Sequence, residues 1–198
     1  MARKAGSHSD ITGPRVQEVA LRLIARHGFA AVSMRQIAAE VGVQAGALYN
    51  YVADKQTLLF QLMNGHMEHL LGELKGSDCA DDPTQRLEDF ARFHIRYHLD
   101  RPELVFVAYM ELRNLTEPNF TRIEALRRTY EDHLEGILVQ GQKSGAFQMN
   151  DSKVTTMAII AMLTGITTWF QETGRLGRDE IEEIYRDLVF RSVDVRRN

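Results

Sequence analysis

Residues 33–55 read SMRQIAAEVGVQAGALYNYVADK, and the rest of the chain is arranged around them. Ser33 is spaced to accept a hydrogen bond from the backbone three residues on, and Gln36 to reach back to the Ser33 amide, so SMRQ has the form of a capping box and a helix begins there. Ile37, Ala38 and Val41 share one face of it, and Gly42 supplies the left-handed freedom for a sharp stop. Val43 returns to the core. A second helix follows to about Tyr51, grouping Ala47, Leu48 and Tyr51 and leaving Gln44, Ala45, Gly46 and Tyr49 on its other surfaces. Two short helices about a tight turn make a helix-turn-helix, and the small residues Ala45 and Gly46 allow the second backbone to approach base edges in a major groove.

These residues closely resemble the DNA-binding domain of TetR-family transcriptional regulators. The matching positions are Ser33, Ile37, Ala38, Gly42, Val43, Leu48, Tyr49 and Lys55. The resemblance implies that Arg35, Gln44, Ala45, Gly46, Tyr49, Asn50 and Lys55 face operator DNA. Ser33, Tyr49 and Lys55 would hold phosphates, and Arg35 and Gln44 would lie nearest the bases. The family commonly places a second aromatic and then His and Phe after Leu-Tyr, where this chain has Asn50, Tyr51 and Val52. Base preference therefore does not transfer.

The 198 residues carry a net charge of −3, which taken as a uniform surface would disfavour nucleic acid. It is not uniform: up to Lys55 there are seven Lys/Arg against four Asp/Glu, so a basic head precedes an acidic body. The single cysteine, Cys79, excludes an intrachain disulfide and a cysteine-rich zinc site and suits a reducing cytoplasm. MARKAGSHSDITG lacks the apolar core of a signal peptide and reads as a mobile or disordered arm.

Pro14 suits a helix start, and Val16, Val19, Ala20, Leu23 and Ile24 recur at helical spacing up to Gly28. Asp54 caps a fourth helix that runs to about Leu74 on Leu58, Leu59, Leu62 and Met63. The polar stretch KGSDCADD, 75–82, reads as a linker. The expected division is a DNA-binding domain over 1–53 and a connecting helix plus regulatory body over 54–198. Asp82-Pro83 restarts a helix, Pro102 and Pro118 break the chain twice more, and a long helix follows over 119–143. No strand alternation occurs, so the class is all-α. The apolar run 154–170 is too short and too rich in threonine for a membrane span, which points to burial between protein surfaces. On it Ala158, Ala161 and Gly165 put small side chains about a turn apart, as close helix packing requires. The final helix carries Ile184 and Leu188. In TetR-like proteins the last two helices commonly form a four-helix dimer interface, so these five residues are its candidates in a homodimer.

Family members usually bind a small-molecule effector among the middle helices. The soft and aromatic residues expected there are Phe93, Tyr97, Phe106, Met110, Tyr130, Trp169 and Phe170, with Arg113, Arg96 or Arg127 available to carboxylate or phosphate groups. The stretch around TWFQETGRLGRDEI, 168–181, is similar to regulators of fatty-acid and acyl-coenzyme A catabolism. His94/His98 and His66/His69 have spacings that suit a metal, yet no further ligand is indicated. No phosphate loop, nucleophile elbow or HExxH motif occurs, so no catalytic residue, cofactor or metal is assigned. The reading is a ligand-released repressor of operator DNA. Its alternatives are an activator or a regulator answering to a protein partner and, in another class, a helical enzyme or metal-binding module.

Overall fold

The computed structural model describes residues 6–77 and 80–194, which are helical and contain no strand. Cys79 and the first residues of the N-terminal arm lie outside the described set. The chain separates into two compact units: residues 1–67 with 103–123, and residues 68–102 with 124–198. The division therefore falls inside the fourth helix, beyond residue 53 and ahead of the polar stretch at 75–82. It also assigns a later segment, 103–123, to the first unit.

The first unit begins with α1 (Gly6–His27), which starts well before Pro14 and runs through it. Helix α2 (Met34–Val41) carries the expected double cap: Gln36 N–H donates to Ser33 Oγ at 3.3 Å and Ser33 N–H to Gln36 Oε1 at 2.7 Å. Gly42 ends it at φ 84, in the left-handed region. Helix α3 spans only Ala45–Leu48. The chain beyond it tightens through i→i+3 bonds, with Asn50 N–H to Ala47 O and Tyr51 N–H to Leu48 O. This helix is shorter than its sequence spacing suggested, because the i→i+3 turn that follows takes up its last residues. Val16, Ala20, Ile24, Ile37, Ala38, Leu48, Leu58 and Leu59 form the core that fixes α1, α2 and α3 against the start of α4 (Lys55–Ser77). Asp54 caps α4, accepting from Thr57 N–H at 2.6 Å. To the same unit belong α6 (Pro102–Met110), a 3₁₀ turn over Leu112–Asn114 and the start of α7 (Glu117–Ser144).

The second unit packs α5 (Pro83–Leu99) against α8 (Ser152–Gly165) and α9 (Arg178–Ser192), and Phe90 and His94 of α5 meet Tyr130 in the body of α7. Asp82 caps α5 through Gln85 N–H at 3.1 Å, and Asp151 caps α8 through Val154 N–H at 2.8 Å. Leu87, Phe90, Leu134, Ile137, Leu138, Ile159 and Leu163 fill its core. Gly141 lies so close to Phe147 that an added Cβ would overlap the ring, so this helix seats a buried aromatic where any other residue would collide.

Candidate nucleic-acid interface and regulatory site

On the helix-turn-helix the polar residues singled out in the sequence face outward. Ser33, Arg35, Gln44, Gly46, Tyr49 and Asn50 are exposed, Tyr49 by 54%, while Ala45 is half-buried. Leu48, on the opposite side of α3, is fully buried. The arrangement offers a guanidinium, two amides and a phenol on a surface whose backbone carries only small side chains at 45–47, suited to hydrogen bonding with base edges and phosphates. Arg22 and Glu40, paired at 2.7 Å, tie α1 to α2 behind that surface.

Lys55 departs from its expected place at a phosphate. Its ammonium donates to Phe29 O and Val32 O, each at 2.8 Å, and sits 4.2 Å from the centroid of the Phe29 ring. The carbonyls of the turn between α1 and α2 draw the cation inward, so it holds the turn.

In the second unit, α5 presents Phe93, Arg96 and Tyr97 to a cavity of about 470 Å³ that is also lined by Glu73, Arg92, Asp100 and Arg101. The rings of Phe93 and Tyr97 are 5.6 Å apart. Tyr97 hydroxyl lies 3.0 Å from His69 Nδ1, and burial raises its pKa to about 12, so it remains a neutral phenol. Arg92 and Arg96 share the buried carboxylate of Glu182, Arg96 at 2.8 and 2.7 Å, and Arg92 also pairs with Glu183. Arg101 instead lies over the Tyr97 ring at 4.2 Å. Arg101 was not among the residues expected here, and the only signal for it in the sequence is its position four residues after Tyr97.

The other residues proposed for an effector do not gather at this cavity. Tyr130 is buried, with its hydroxyl 2.8 Å from His94 Nδ1, and Thr164 Oγ1 lies 3.0 Å from His94 Nε2. Both ring nitrogens of His94 thus meet hydroxyls, and the ring stacks on His98 at 3.8 Å. Trp169 is half-exposed, stacked on Tyr185 and edge-on to Phe170. Phe106, Met110 and Arg113 belong to the first unit, where Phe106 and Met110 are exposed. Helical periodicity marks soft residues without saying which bundle they face.

Of the proposed interface residues, Ala158, Ala161, Ile184 and Leu188 are exposed, and Gly165 is half-buried with open space where a Cβ would stand. On α9, Ile181 and Val189 turn inward while Ile184 and Leu188 face out.

Two family models match this chain: that of bacterial regulatory proteins of the tetR family over residues 17–62, and the tetracycline repressor-like C-terminal domain over residues 80–193. The chain belongs to the TetR family. It is therefore an all-α transcriptional regulator with an N-terminal DNA-binding helix-turn-helix. The repressor KstR2 of Mycobacterium tuberculosis is 25% identical over 194 residues, covering 96% of each chain. A tetR-family regulatory protein from Rhodococcus RHA1 superimposes with a TM-score of 0.88 at 24% identity, over 94% of this chain and 98% of that one. AibR, solved with isovaleryl coenzyme A and operator DNA, superimposes with a TM-score of 0.83 at 28% identity, over 90% of this chain and 98% of AibR. Among the described residues, no helix is long and apolar enough to cross a membrane.

Proposed function

We propose that this TetR-family regulator is a repressor that occupies operator DNA as a homodimer in the cytoplasm and leaves it on binding an acyl-coenzyme A or a fatty-acid-like compound, with no catalytic turnover. The observation that carries the DNA reading is the outward polar face of Arg35, Gln44, Tyr49 and Asn50 above a core closed by Leu48. The effector class is supported by the likeness to AibR, which was solved with an acyl-coenzyme A. It also draws on the second unit's cavity, where the aromatic pair Phe93 and Tyr97 adjoins the guanidinium of Arg101. A phosphate-bearing ligand with an apolar tail meets both kinds of group there.

Arg35 is exposed at the start of α2 and is assigned to base edges. Arg35→Ala is expected to remove about 1–3 kcal/mol of discrimination between operator and random DNA. Anisotropy titrations of both duplexes over a salt series check this, and an unchanged preference would remove Arg35 from the reading surface.

For the effector, isovaleryl and long-chain acyl-coenzyme A are expected to release a duplex selected by the protein from a randomised pool. Over the same concentration range they should raise the melting temperature, by about 2.7 kcal/mol of linkage at a hundred times Kd. Thermal stabilisation without DNA release would show adventitious binding of a greasy ligand, and no response to either thioester would remove the acyl reading while leaving the DNA reading in place.

A further inference from the structure

The turn between α1 and α2 precedes the cap of the helix-turn-helix, and two separate parts of the first unit hold it. Gly28 leaves α1 at φ 83, and its N–H donates to Ile24 O at 2.8 Å. From one side Lys55 takes the carbonyls of Phe29 and Val32. From the other comes Glu111, the residue after α6, which is buried with only 8% of its surface exposed. Its Oε1 accepts from Phe29 N–H at 3.1 Å and its Oε2 from Asn114 Nδ2 at 2.5 Å. Asn114 O in turn accepts from Gln56 Nε2 at 2.6 Å, next to Lys55 at the head of α4. A Cβ on Gly28 would stand 3.5 Å from Glu111 Oε1, so the carboxylate lies directly against the turn.

A buried carboxylate is costly unless hydrogen bonds satisfy it, and here they come from a backbone amide 82 positions away and from the 3₁₀ turn that follows α6. Only three residues separate Phe29 from Ser33, so the place of the Phe29 amide constrains where α2 begins and hence where Arg35 and α3 point. The geometry points to Glu111 as a positioning residue for DNA reading: it sets the α1–α2 turn from the α6 side, by reach and without touching DNA. This inference rests on the DNA-binding reading above.

Three variants separate reach from charge, each measured against a duplex selected by the wild-type protein from a randomised pool and against random DNA. Glu111→Ala removes the acceptor and is expected to lose about tenfold or more on the selected duplex, staying within about twofold on random DNA because no phosphate contact is lost. Glu111→Gln keeps an acceptor at the same reach once the Asn114 amide turns over, and is expected to remain within about threefold of wild type on both duplexes. Glu111→Asp keeps the charge but falls one methylene short, and is expected to behave like the Ala variant. Exchange of the Phe29 amide, followed by NMR, should accelerate in the Ala and Asp variants and not in the Gln variant.

The inference is overturned if the ratio of selected to random affinity is unchanged in both Ala and Asp variants, whatever their melting temperatures, since that is the signature of a contact serving stability alone. It is equally overturned if the Asp variant keeps the ratio and the Gln variant loses it, which would make charge the operative property. Should the Ala variant not fold, the Asp and Gln pair decides. A wild-type protein that selects no duplex would fail the DNA reading itself, and is told apart from these outcomes because it appears before any substitution.

Discussion

Gly165→Leu is expected to leave the single chain folded while abolishing both self-association and tight DNA binding. Beyond its own turn of helix, an added Cβ at Gly165 meets no atom within 4 Å, so the position has open space for the start of a larger side chain. The surface around it is unusually apolar: Val154 is 67% exposed, Met157 46%, Ile184 44% and Leu188 40%, with Ala158 and Ala161 between them. Side chains of that size facing water on two neighbouring helices are what an association surface would present. The small residues at 158, 161 and 165 would let a second copy's helix approach closely about a two-fold axis, and a leucine there would hold the helices apart. A helix-turn-helix dimer reads two half-sites about one helical turn apart, so a monomer forfeits one whole half-site and the avidity that joins them. The expected loss on operator DNA is at least about a hundredfold. Sedimentation at micromolar concentration checks the association and anisotropy the affinity. A wild-type protein that sediments as a monomer, or a Leu variant that still dimerises and binds, would refute the interface.

How much of this was legible in the sequence depended on how local the cause was. The capping box at Ser33 and Gln36, the left-handed stop at Gly42 and the helix starts at Asp54 and Asp82 are decided within four residues, and each stands where the spacing placed it. The outward set on α2 and α3 was similarly legible, because Leu48 must go inward and its neighbours follow from the helical period. The direction of Lys55 was not: the carbonyls that hold it belong to Phe29 and Val32, 26 and 23 positions away. Glu111 gave no signal at all, since nothing in ELRN announces that a carboxylate will meet an amide in another segment. The effector residues fared worst. A stripe of aromatics is equally compatible with core, cavity and surface, and here Tyr130 is core, Phe93 and Tyr97 line a cavity, and Phe106 is exposed.

The i,i+4 histidines of α5 lead to a second large effect. The spacing admitted a metal pair, but in the fold His94 is engaged by Tyr130 and Thr164, and His98 Nδ1 donates to His94 O at 2.8 Å. Burial pushes His98 down to about 4; the bond to the His94 carbonyl opposes the shift, and the nearby positive charge of Arg101 adds to it. His98 is therefore neutral in the folded protein at pH 7, and in the unfolded chain it titrates near 6.5. Between those two values the unfolded state binds the extra proton, so stability is complete above about pH 6.5 and falls as the pH is lowered towards 4. The gap corresponds to about 3 kcal/mol, or roughly 6–12 °C in melting temperature for a chain of this size. Other groups also titrate in this range, so the measurement is a difference: melting curves from pH 7 to pH 4 for wild type and for His98→Gln, which cannot take the proton. The Gln variant is expected to lose less stability over that interval by about this amount, even if it begins lower at pH 7. Parallel curves would mean that His98 protonates as readily in the folded protein as in the unfolded chain.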